Sequence, residues 1–193
     1  MDTYVYEIDG KDYINLTNKC TNACTFCVRN HQDGVDGYEL WLKKEPTAQE
    51  VIDILAKNKR DVVFCGFGEP TTRIDALCEI ADFVKSYGGK VRINTNGHGN
   101  AYNKKDIVPM LKGRADTLSI SLNGSSGEKY QAVCKSVYGE KGFDYMLDFA
   151  RESAQAGIEV ILSVVSIIGD EEIEKCRKIA EDVGAKFRVR EFF

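Results

Sequence analysis

The chain has 193 residues, 26 Lys and Arg against 30 Asp and Glu, a formal net charge of −4, and 43% hydrophobic residues. That length and balance fit one globular domain with a sizeable core, and they exclude disordered, collagen-like and low-complexity classes. The mild acidity argues against a broad nucleic-acid-binding face. No 18-residue apolar run and no leader-like segment over Met1 to Gly10 is present, so the expected address is the cytoplasm, with no membrane partner.

Taken in chain order, Tyr4–Ile8 and Lys11–Ile14 flank Asp9-Gly10, a hairpin turn signal, and predict a short N-terminal β-ribbon. Strand candidates then follow at Tyr13–Thr17, Val62–Cys65, Val91–Thr95, Leu118–Leu122, Val160–Val165 and Phe187–Val189. Between them, Ala48, Val51, Ile52 and Leu55 recur at helical spacing behind a Thr47…Glu50 capping box. Tyr130, Val133, Cys134 and Val137 do the same behind Ser125…Glu128. Phe143, Met146, Leu147 and Ala150 form another stripe, and Ile173, Cys176, Ala180 and Val183 a last one. The segment around Pro109 is the poorest helix candidate, because proline is costly in a helix interior.

Six strands alternating with helices predict βαβ units and a parallel sheet. Alternation within the strands narrows the architecture. Arg92, Asn94 and Asn96 oppose Val91, Ile93 and Thr95; Ser119, Ser121 and Asn123 oppose Leu118, Ile120 and Leu122; Arg188 and Arg190 oppose Phe187 and Val189. A sheet covered on both faces reads as continuously apolar strands, whereas here one face is polar throughout. The expectation is an open, curved α/β sheet with helices outside and a wet channel inside. Residues 1–12 form the ribbon extension and 13–193 the core domain.

Seven cysteines are the unusual entry in the composition, and three of them fall in Cys20-Thr-Asn-Ala-Cys24-Thr-Phe-Cys27, directly after the first strand. An odd count without a secretion signal suggests metal or redox chemistry rather than a disulfide framework. Three thiolates on one loop can hold three corners of a cubane iron–sulfur cluster and leave the fourth iron open. Zinc is the alternative, although a structural zinc site is normally closed by four ligands, and only His31 and His98 are available as histidines.

The triplet, with Phe26 before its last cysteine, resembles the signature of the radical S-adenosylmethionine (SAM) superfamily. Further segments agree in order. Cys65-Gly-Phe-Gly-Glu-Pro70 resembles the family's Gly-Gly-Glu motif, Arg92-Ile-Asn-Thr-Asn-Gly97 its ribose-side motif, and Leu118-Ser-Ile-Ser-Leu-Asn-Gly124 the partner of that motif. Val165-Ser-Ile-Ile-Gly-Asp-Glu-Glu172 resembles the adenine-side Gly-x-Ile-x-Gly-x-x-Glu motif, with Val165 in place of the leading Gly. The short length, Ile14-Asn-Leu-Thr17 and Cys27-Val-Arg29 look most like the small radical SAM proteins linked to TatD-type nucleases.

The resemblance implies an open (β/α)6 partial TIM barrel holding a [4Fe-4S] cluster and SAM. Cys20, Cys24 and Cys27 would be the metal ligands. Phe26, Gly66, Gly68, Glu69, Asn94, Asn96, Ser121, Asn123, Ile168, Arg188 and Arg190 would line the SAM side. Gly68 is expected to let its backbone approach the cofactor, Gly68 and Glu69 to meet the methionine amino group, and the arginines to meet an anion on SAM or substrate. The implied activity is reductive cleavage of SAM and hydrogen abstraction from an anionic small-molecule or peptide substrate, with a flavodoxin- or ferredoxin-type electron donor. Rival readings are an activase of a glycyl-radical partner, a deazapurine-biosynthesis enzyme, and a non-catalytic iron–sulfur or zinc module. Cys78, Cys134 and Cys176 fall in helical apolar stripes and read as packing residues; Cys65, at a strand end, reads as packing or as a radical relay.

Overall fold

The hairpin signal at Asp9-Gly10 is realised in the computed structural model, which describes residues 2–192: β1 (Val5–Ile8) pairs antiparallel with β2 (Lys11–Ile14). β2 is also the first parallel strand, pairing Asp12–Ile14 with Val62–Phe64 of β5. The ribbon and the core therefore share a strand, and a boundary between residues 12 and 13 runs through it. The predicted Tyr13–Thr17 strand starts earlier and stops at Ile14, because Asn15 leaves the ladder. Its side-chain amide donates to the Leu40 carbonyl (2.8 Å) and its backbone N–H to that of Tyr4 (2.9 Å).

After β2 the chain forms the cysteine loop, a short ribbon of β3 (Gly34–Val35) and β4 (Tyr38–Glu39), and α1 (Ala48–Leu55). The parallel ladder continues through β5, β6 (Val91–Thr95), β7 (Thr117–Ser121), β8 (Glu159–Val165) and β9 (Lys186–Arg190), in the order β1-β2-β5-β6-β7-β8-β9. The crossovers are α1, α2 (Ile74–Ser86), α3 (Gly99–Asn103) with α4 (Val108–Leu111), α5 (Gly127–Cys134) with α6 (Lys141–Gln155), and α7 (Asp170–Val183). Six parallel strands are thus joined by five helical crossovers, and among the described residues no helix follows β9. The sheet is open, since β1 and β9 are its two edges.

The core lies on the helical side. Phe64, Ile93, Leu118, Ile120, Leu162 and Val164 from the strands meet Leu55, Leu77, Ile80, Leu111, Met146, Phe149 and Cys176 from the helices, all below 2% exposed. Burying side chains of this size stabilises a fold by roughly 1.5–3 kcal/mol each. Cys78, Cys134 and Cys176 are buried in this layer, as their helical spacing predicts. Among the described residues, no helix is long and apolar enough to cross a membrane.

Candidate active site

The opposite, polar face of the sheet closes around a cavity of about 370 Å³ at the C-terminal ends of the strands. Its wall takes Arg92 and Asn94 from β6, Ser119 and Ser121 from β7, Ser163 and Val165 from β8, and Arg190 from β9. Because one cavity gathers residues from four neighbouring strands and from the turn after β5, the sheet wraps around it. The C-terminal strand ends are where barrel enzymes place their chemistry.

Cys20, Cys24 and Cys27 all line this cavity, together with Phe26. Backbone N–H of Asn22 (3.4 Å) and the amide of Asn96 (3.6 Å) donate to the Cys20 sulfur. Donors of this kind stabilise a thiolate and tune a cluster bound to it. Burial pushes the free Cys20 thiol up to about 12 and raises Cys27 as well; Cys24 is raised by the adjoining Cys134 thiol and by burial. In the metal-free protein these thiols hold their protons, and ligation would release them. Among the described residues, no three His, Cys, Asp or Glu side chains stand close enough to hold a single metal ion. Three thiolates on one loop suit a cubane cluster with one iron left open, whereas a structural zinc site is normally closed by four protein ligands.

The loop carrying them is shaped by its neighbours. Ala23 N donates to the Cys134 carbonyl (3.1 Å) and Thr25 N to that of Val133 (2.9 Å), so the loop caps the C-terminal end of α5. Asn22 forms an isolated antiparallel bridge with Ser136. On the other side a buried chain runs inward. The Asn96 amide donates to Thr21 Oγ1 (2.8 Å), and Thr21 Oγ1 meets His98 Nδ1 (2.9 Å). His98 Nε2 meets the Gly142 carbonyl (2.9 Å), which can only accept. Nε2 therefore carries the proton, Nδ1 accepts, and the Thr21 hydroxyl donates to it. Desolvation holds His98 down at about 4, so the ring is neutral at physiological pH. Its neutrality keeps the chain's direction fixed.

Gly66 and Gly68 line the cavity, but their backbones approach protein rather than ligand. A Cβ on Gly68 would stand 2.3 Å from the Thr17 carbonyl oxygen and 2.6 Å from that of Lys19; one on Gly66 would meet Asn15 Oδ1 at 2.1 Å. These glycines let the β5 loop pack against the start of the cysteine loop. The expected reason for Gly68, close approach to a cofactor, is replaced by this one.

Glu69 is buried and accepts from Thr71 N (3.1 Å), Thr71 Oγ1 (2.7 Å), Thr95 Oγ1 (2.7 Å) and Asn96 N (2.7 Å). Burial raises its carboxyl above the ordinary range while these donors oppose the rise. Three of the four donors fall on Oε1, so Oε2 retains capacity for one further partner. Asn96 and Asn123 are likewise committed: the Asn96 Oδ1 accepts from His98 N (3.0 Å), and Asn123 joins Val165 N (3.2 Å) to the Cys134 sulfur (3.8 Å). Asn94 Oδ1 accepts from Arg92 Nε (2.9 Å), and the Asn94 side chain also lies against the Cys65 thiol. Ser121 has no hydrogen-bond partner for its hydroxyl among the described residues.

Two expected residues lie elsewhere. Arg188 is exposed on the edge strand, two residues short of the cavity mouth. Ile168 ends a 3-10 turn (Ser166–Ile168) and packs on the core; the motif's spacing places its isoleucine at Ile167, which is 48% exposed. The segment reaches the cavity through Val165 instead, while Glu172 accepts from Ser125 N (2.7 Å) and secures the turn before α5.

Val35, Phe67 and Phe192 add apolar wall that the strand pattern does not reveal. Asp36-Gly37 is the signal that could have found the β3–β4 ribbon carrying Val35. His31 and Trp41 pack edge-on against Phe192 (6.1 Å) and Phe67 (5.0 Å). Cys65 also lines the cavity, where the Tyr6 hydroxyl donates to its carbonyl (3.0 Å).

An open parallel α/β barrel with three loop thiols and neutral strand-end amides around one cavity defines a class: proteins that hold a thiolate-bound metal cluster beside a small polar molecule. The sequence profile of the Radical SAM superfamily matches residues 14–183, and the chain belongs to that superfamily, whose members are enzymes binding a 4Fe-4S cluster and SAM. Among solved structures, SuiB of Streptococcus suis bound to the precursor peptide SuiA is similar over 94% of this chain and 39% of its own, with a TM-score of 0.71 and 17% identity. Native anSMEcpe with bound AdoMet is similar over 94% and 50%, with a TM-score of 0.66 and 13% identity. A radical SAM methyltransferase from Sphaerobacter thermophilus is similar over 97% and 68%, with a TM-score of 0.61 and 13% identity. The chain thus spans less than half the length of the SuiB chain and half that of anSMEcpe. No curated protein shows significant sequence similarity.

Proposed function

We propose that this chain cleaves SAM reductively at a [4Fe-4S] cluster held by Cys20, Cys24 and Cys27 and uses the resulting 5′-deoxyadenosyl radical to take hydrogen from an anionic substrate. The observation that carries the reading is the shared cavity: the three thiols, the Gly66–Glu69 turn and the polar ends of β6, β7 and β8 all face it. The bound cluster and SAM supply the electron transfer and C–S cleavage; the protein supplies placement. Glu69 Oε2 is the acceptor available to a methionine ammonium. The Asn94 NH₂ and the Ser121 hydroxyl, both on the cavity wall, suit ribose oxygens. Phe26, Phe67 and Phe192 exclude water from the reacting carbon.

A small molecule or a peptide segment fits this mouth, and the precursor peptide bound to the similar SuiB supports the peptide option. A one-electron protein donor completes the proposed partners, with the cytoplasm as proposed location. Anaerobic reconstitution with iron and sulfide, followed by reduction with SAM, tests the proposal. A cubane spectrum perturbed by SAM, together with 5′-deoxyadenosine, is the expected result. Tight zinc binding with no response to SAM would refute it. Cys20→Ala, Cys24→Ala and Cys27→Ala should each lose the cluster iron, whereas Cys78→Ala, on α2 away from the cavity, should retain it.

A further inference from the structure

We infer that Arg190 is a carboxylate subsite for the substrate, distinct from the groups that seat SAM. This rests on the reading of the cavity just given. Arg190 is the last residue of β9, pairs with Val165 of β8, and lines the cavity. Its Nε and Nη2 are sealed from bulk water and meet no acceptor among the described residues. A buried donor without an acceptor is destabilising, and natural chains keep few of them. These two nitrogens form one edge of the planar guanidinium, with parallel N–H bonds. That edge matches the two oxygens of a single carboxylate.

The rest of the wall narrows the ligand further. The Nε of Arg92 is already occupied by Asn94, and Glu69, the buried acid of the wall, is held by its own four donors. Arg190 offers one free bidentate edge and Arg92 a second cation, against the carboxylates of Glu69 and Glu191, with neutral Ser163 and Ser121 and apolar Phe26, Phe67, Val165 and Phe192 also on the wall. A phosphate dianion calls for more cations or N–H donors than this. A monoanionic carboxylate on a largely apolar body fits. In the sheet order β6, β7 and β8 separate β9 from β5, whose following turn carries Glu69, the acceptor for SAM's ammonium; across the cavity Arg190 also comes within electrostatic reach of Cys24 and Cys65, so the SAM affinity of its variants decides between the two carboxylates.

The test uses anaerobically reconstituted protein, with phenylacetate and butyrate as probes, phenylacetamide and methyl phosphate as controls, and ligand-observed NMR as the readout. Phenylacetate should bind in the millimolar range and its amide and methyl phosphate about tenfold more weakly, the loss of one charged bidentate pair. Arg190→Met should abolish that preference, and Arg190→Lys, which keeps the charge without the fork, should reduce it. SAM affinity should stay within about twofold in both variants. The Tm of ligand-free Arg190→Met should equal or exceed that of the parent, since an unpaired buried cation is removed. Equal binding of acid and amide, a SAM affinity about tenfold lower in Arg190→Met, or a lowered Tm would each overturn the inference. Failure of the proposed function shows separately, as a parent protein that takes up no cluster and binds no SAM.

Discussion

His98 shows how much of the site depends on groups that touch no ligand. It is 1% exposed, and its ring fixes Thr21 and, through Asn96, the sulfur of Cys20. Its pKa falls from 6.5 to about 4 on folding, because burial penalises the imidazolium. The unfolded chain then binds the extra proton first, so stability is complete above pH 6.5 and is lost as pH falls toward 4. The group should account for about 3 kcal/mol over that window. Urea titrations across it should show the slope, and His98→Asn should flatten it whatever its baseline stability. Gly68→Ala is expected to cost about 1–3 kcal/mol by overpacking, since the new methyl meets backbone oxygens that cannot swing aside. At this scale the sequence located the residues better than their roles. The family resemblance placed Gly68 and Glu69 at the cavity, and strand alternation placed Asn96 there, but whether a polar atom faces a ligand or a neighbour depends on partners distant in sequence, such as Thr17 and Thr95.

Among the elements, those read from local chemistry match best. Thr47 and Glu50 make both halves of the capping box at the start of α1, with Thr47 Oγ1 accepting from Glu50 N (3.2 Å) and Glu50 accepting from Thr47 N (2.8 Å). Thr47→Ala should cost about 1 kcal/mol in urea unfolding without disturbing cluster uptake. Before α5 the cap is Ser126 rather than Ser125: its side chain accepts from Lys129 N, while Ser125 donates its backbone N–H to Glu172. Val137 falls outside the helix and is 71% exposed, because Lys135 adopts a left-handed conformation that ends α5. A residue count along a periodic stripe cannot see such a stop. The strands β6 and β8 were legible to within a residue, β6 because a polar face alternates with an apolar one and β8 as a short, mostly β-branched apolar run. The β3–β4 ribbon, two residues per strand, carries no periodicity at all.

For the molecule as a whole, the alternating strands implied a channel, and the channel is there; the loops that complete its wall were not readable, because loop contacts are long-range. The backbone contacts between the cysteine loop and α5 have one further consequence. The amides of Ala23 and Thr25 are bonded to helix carbonyls, contacts that the chain makes from its own backbone. The cysteine loop is therefore shaped by protein contacts, and on the proposed function the entropy of ordering it is met during folding rather than at metal uptake. Hydrogen–deuterium exchange on the apoprotein should find these two amides slow, and cluster loading should alter their exchange little. The site should accept preassembled inorganic clusters as a rigid socket does, with folding first and loading second.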